Sequence, residues 1–131
     1  MAEARLLVPM WRAMPPASFL AWYREHAALL LGFFGPLEIV STVAVLAAAT
    51  LAGFRGAPGA AAMIGAALLA LVVLATFPLY FQRANASFAD GSLPEAGVAA
   101  ELVRWSRWHN IRVAVSVIGF GAACIGFAQG S

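Results

Sequence analysis

Three apolar stretches separated by short polar breaks set the plan of this chain. Residues 27–54 are apolar except for Glu38, Ser41, Thr42 and Thr50, residues 60–81 carry no charge, and residues 113–128 form a third apolar run. Crossing roughly 30 Å of hydrocarbon takes about 20 helical residues. The first run exceeds that length, the second meets it, and the third reaches it because helix formers continue upstream. Pro15-Pro16 suits a helix start, so a first long helix is expected over residues 16–54. Pro36 removes a backbone donor inside it and, with Gly32 and Gly35, predicts a kink. The glycine-rich turn at 53–59 leads to a second helix over 58–83, closed by Gln82, Arg83 and Asn85. A loop follows from Ala86 to Leu93. Ser92 and Glu95 have capping-box spacing, which starts a third long helix over 93–128. Residues 1–14 hold Leu6, Leu7, Val8 and Trp11, too short an apolar set to span, and read as an interfacial arm. The expected fold is all-α: a single-domain integral membrane helical bundle with three transmembrane helices.

Composition agrees. The 131 residues are 63% hydrophobic and 11% charged, against roughly 25% charged in soluble domains. Arg5, Arg12, Arg24, Arg83, Arg104, Arg107 and Arg112 fall on one side of the predicted spans and only Arg55 on the other. The positive-inside rule then puts the N-terminus in the cytoplasm and the C-terminus outside, in the inner, cytoplasmic membrane if the cell is bacterial. The arginines sit at the ends of apolar runs, so the expected partner is the lipid bilayer and not nucleic acid. Ala62, Ala66 and Ala70, and the pairs Gly119/Ala123 and Ala122/Gly126, have small-residue spacing. These faces call for other membrane helices, in a homo-oligomer or a larger membrane complex. Cys124 lies in the last apolar run, where a small packing role suffices.

The chemistry gathers where the third helix enters the bilayer. Glu101, Trp105, Trp108, His109 and Arg112 follow at i, i+4, i+7, i+8 and i+11, one stripe of a continuous helix. Arginine and tryptophan also anchor helices at headgroups, and both readings stay open. Glu38 is a carboxylate well inside a span. It has to find a partner, face other helices or be protonated, and it serves either function or packing. A direct bridge to Arg112 would need strong tilt, so an intervening water or ligand oxyanion is the easier expectation. His26 and His109 lie near the same boundary, where interfacial hydrogen bonding competes with a metal site completed by Glu25 or Glu101. No metal is assigned, and the cofactor is unknown.

The segments Val8-Pro9, Pro15-Pro16-Ala17-Ser18-Phe19, Gly35-Pro36-Leu37-Glu38, Pro78 through Asn85, and Arg104-Trp105 through His109-Asn110-Ile111-Arg112 together resemble the anthrone oxygenase-like family of small membrane proteins. Members look like four-helix bundles, and this chain begins where their first helix ends, so the family's first helix is absent or the start codon lies upstream. The resemblance implies oxidation of an anthrone to an anthraquinone by O₂ without an obvious cofactor. A base must then remove a C–H or phenolic proton while donors hold the oxyanion in an apolar pocket. His109 or His26 would be the base, Arg112 with Trp108 and Asn85 the donors, and Glu38 or Glu101 the group orienting a histidine. Trp105 joins Trp108 and Asn85 in binding substrate.

Three functions fit these residues. One is an oxidoreductase acting on a lipophilic phenol or quinol; another is a non-catalytic structural or assembly subunit of a larger complex. Transport comes last, because three spans enclose a path poorly.

Overall fold

The structure, a computed structural model, describes residues 6–130; Arg5 of the charge count and the terminal Ser131 lie outside the described residues. It is helical, with no strand among those residues. A short helix, α1 (Val8–Ala13), precedes α2 (Pro16–Phe54); α3 (Ala60–Thr76) continues through a π-helical turn (Phe77–Phe81) into α4 (Gln82–Ala89), and α5 (Glu95–Gly130) completes the chain. Three helical stretches, Pro16–Phe54, Ala60–Ala89 and Glu95–Gly130, are long and apolar enough to cross a membrane.

Several elements depart from expectation, each for a local reason. The second helix does not close near Arg83. Pro78 lies at the start of the π-helical turn, which absorbs its missing donor, and helical bonding resumes to Ala89. The loop therefore shrinks. The capping box is replaced by an Asx turn: Asp90 Oδ1 accepts the Ser92 backbone N–H at 2.8 Å, and α5 begins only at Glu95. Hydrogen bonds from the Ser92 hydroxyl and backbone hold the Asp90 carboxyl below its usual range. The first long helix has the expected bounds, with Pro36 inside it.

The chain divides into two compact units. Unit 1 contains Met1–Phe33 and Thr76–Ile111, and unit 2 contains Phe34–Ala75 and Arg112–Ser131. Unit 1 is built on aromatic rings. Val8 and Trp11 of α1, Phe19 and Tyr23 of α2, Phe81, Phe88 of α4, and Leu102 and Trp105 of α5 form its core. Phe88 meets Phe19 and Tyr23 edge-on at 5.1 and 5.2 Å. Such pairs add about 0.5–1.5 kcal/mol each beyond area burial. Trp11, only 2% exposed, meets Trp105 at 5.4 Å. Trp11 and Trp105 are thus core residues and not members of a lipid-facing aromatic belt. The Arg24 Nε–H donates to the Ala89 carbonyl at 3.1 Å, satisfying the C-terminal end of α4.

Unit 2 is held by small residues. A Cβ at Gly59 would overlap the Gly126 carbonyl, and one at Gly126 would lie 2.7 Å from Met63 Cγ. Gly119 faces Leu69, and Ala66 and Ala67 are buried. The small faces of α3 and α5 are used here within the chain, where close backbone approach replaces the hydrophobic drive that lipid removes.

Candidate functional site

In unit 1, α5 and α1 enclose the principal candidate. Ser106, His109 and Asn110 stand at i, i+3 and i+4, one face of α5, while Val8 and Arg12 share a face of α1 at i and i+4. Together with Pro9 they line a cavity of about 390 Å³, within the size range of small-molecule sites. His109 is 2% exposed. Its ring stacks on Trp105 at 5.0 Å with planes 12° apart, and the Trp105 indole N–H donates to Asn85 Oδ1 at 2.9 Å. Asn85 fixes the indole, and the indole fixes the imidazole at the cavity wall. Ser106 donates its hydroxyl proton to the Leu102 carbonyl at 2.7 Å, leaving an oxygen that can still accept.

The other expected residues separate from this group. His26 stacks on Trp22 at 4.2 Å, and its Nδ1 lies 2.8 Å from the Trp22 carbonyl. That contact makes Nδ1 the protonated nitrogen. Trp108 stacks on Tyr80 at 5.1 Å. The Tyr80 hydroxyl donates to Glu101 Oε1 at 2.7 Å, and Glu101 Oε2 accepts from Arg104 at 3.0 Å, so Glu101 is engaged by tyrosine and arginine. Among the described residues no group of three His, Cys, Asp or Glu side chains gathers as a metal site.

Unit 2 holds the second polar feature. The Arg112 Nη2 donates to Glu38 Oε2 at 2.5 Å, each side chain 19% exposed. The contact is direct, where a mediating water or ligand was expected. Along unit 2 the two helices meet at these positions without the interposed atom that rise alone requires. The Thr42 hydroxyl donates to the Glu38 carbonyl and the Ser116 hydroxyl to the Arg112 carbonyl, both one turn along their helices.

Arg12, Ser106 and Asn110 were not singled out from sequence as site residues. The signal was there: one polar i, i+3, i+4 set on α5, Ser106, His109 and Asn110, and a lone arginine on α1. It was masked because the wider Glu101-to-Arg112 stripe is chemically richer, and because an arm read as lying on lipid offers no wall for a cavity.

These features define an all-helical integral membrane protein with a histidine-walled cavity beside an aromatic core. A family model described as anthrone oxygenase matches residues 19–122, and the chain belongs to that family. The match spans every residue expected at the site, from His26 to Arg112, and excludes the α1 wall. No curated protein and no solved structure matches the chain.

Proposed function

We propose that this protein oxidises a lipophilic anthrone-like or phenolic ketone with O₂ in the unit 1 cavity. The observation that carries the reading is His109: a buried imidazole, held on an indole, at the wall of a cavity that also receives a guanidinium and an amide. His109 takes a proton from the activated CH₂ of the substrate, and Arg12 and Asn110 hold the oxygen on which the charge develops. The carbanion carbon bonds to O₂, and the proton returns to give a hydroperoxide. Loss of water breaks the O–O bond and the second C–H bond and leaves C=O. One anthrone and one O₂ thus give one quinone and one water. Trp105 and Asn85 are positioning residues for the base. His26 and Trp108 support the aromatic surroundings.

Filling the cavity tests the reading. Ser106→Trp in protein purified into lipid nanodiscs is expected to abolish conversion of anthrone to anthraquinone above the uncatalysed rate. The variant should keep its extractability and helical circular dichroism. Full conversion by a folded Ser106→Trp protein contradicts the cavity as the site.

A further inference from the structure

Two donors at the unit 1 cavity have nothing to hold. Arg12 and Asn110 line it from α1 and α5, both are exposed, and neither side chain has a hydrogen-bond or ion-pair partner among the described residues. Among those residues no carboxylate lines the cavity. The acid nearest in sequence to its α5 wall is Glu101, whose two oxygens accept from Tyr80 and Arg104. Ser106 sends its proton to the Leu102 carbonyl and can only accept. The cavity therefore offers a guanidinium and an amide, with no negative charge to oppose an incoming anion.

We infer that this cavity binds the carboxylate of an amphiphilic organic acid, held by Arg12 and Asn110. A guanidinium presents parallel N–H donors that match the two oxygens of a carboxylate. One guanidinium balances a monoanion, whereas a doubly charged phosphate ester keeps an excess charge. Val8 and Pro9 supply apolar lining, and about 390 Å³ is more than a carboxylate alone fills, so the acid carries an apolar body. The exposure of Arg12 and Asn110 makes their donors reachable from outside. Binding of the acid uses the cavity of the proposed oxidation but none of its steps. Its consequence for regulation does rest on that reading: the donors given there to an oxygen that becomes charged during reaction are taken by a group charged beforehand, so the acid competes with substrate.

The probes are 2-naphthoate and 2-naphthamide, which share a ring system and differ in charge at neutral pH. Binding is measured by equilibrium dialysis against protein in phosphatidylcholine nanodiscs, with uptake by protein-free nanodiscs subtracted. The wild type should bind the acid about tenfold or more tightly than the amide. Arg12→Gln should lose that preference, and Arg12→Lys, which keeps the charge but not the fork, should recover part of it. Arg83→Gln removes an exposed arginine that does not line the cavity and should keep all of it. Equal binding of the two probes by the wild type overturns the inference and leaves Arg12 to the lipid phosphates, and this comparison needs no variant to fold. A preference that falls as far in Arg83→Gln as in Arg12→Gln also overturns it, by assigning the effect to overall charge. Protein that shows the preference but oxidises no anthrone keeps the acid site and loses the proposed oxidation.

Discussion

At the scale of single residues, the order Asn85, Trp105, His109 matters more than any one of them. The indole has one N–H donor, and it goes to Asn85; the imidazole then stacks on that fixed indole. Asn85→Leu should keep the packing volume but free the indole to rotate. The loss of one such hydrogen bond corresponds to about a tenfold fall in kcat. KM should change little, and Asn85→Asp, which retains the acceptor, should restore most of the rate. A change confined to KM would instead place Asn85 in substrate contact. His109, Trp105 and Asn85 were all visible in the sequence as candidates, but their pairing was not. Periodicity puts Trp105 and His109 on one helical stripe, while the partner of the indole depends on how α4 lies against α5. Tyr80 went unnoticed for the same reason, since nothing local to it announces Glu101, twenty-one residues away.

At the scale of elements, the long helices were legible because their signals are local: apolar length, Pro15-Pro16, and the glycine turn at 53–59. Two element ends were not. The helix through Pro78 continues because a π turn tolerates the proline, and Ser92 serves Asp90 in place of the α5 terminus. In both cases two local rules compete and sequence order does not rank them. Small residues make the sharpest element-level test. Gly126 sits where an added methyl strikes Met63, whereas Gly121 has open space beside it. Gly126→Ala should destabilise unit 2 by about 1–3 kcal/mol as overpacking, and Gly121→Ala should stay within about 0.5 kcal/mol of wild type. Thermal unfolding in detergent measures both, and equal stability of the two variants would remove the close approach of α3 and α5 from the account.

At the scale of the whole molecule, composition and hydropathy identify a membrane protein, and residues 19–122 place it in the anthrone oxygenase family. The arginine asymmetry gives the orientation as a prediction. A cysteine at Asp90 in a Cys124→Ser background should react in intact cells only with a membrane-permeant maleimide, and one at Ala57 with an impermeant one as well; the reverse pattern inverts the topology. The proposed oxidation rests on His109 acting as a base at the cavity wall, and O₂ consumption tests that most directly. With anthrone in air-saturated buffer, wild-type protein in nanodiscs should consume O₂ one-for-one with anthraquinone formed, above the uncatalysed rate. His109→Ala should lower the enzymatic rate by about 10²–10⁴-fold, the usual contribution of a positioned general base. O₂ uptake by folded His109→Ala protein equal to that of the wild type, or no uptake by the wild type above the uncatalysed rate, would contradict the account.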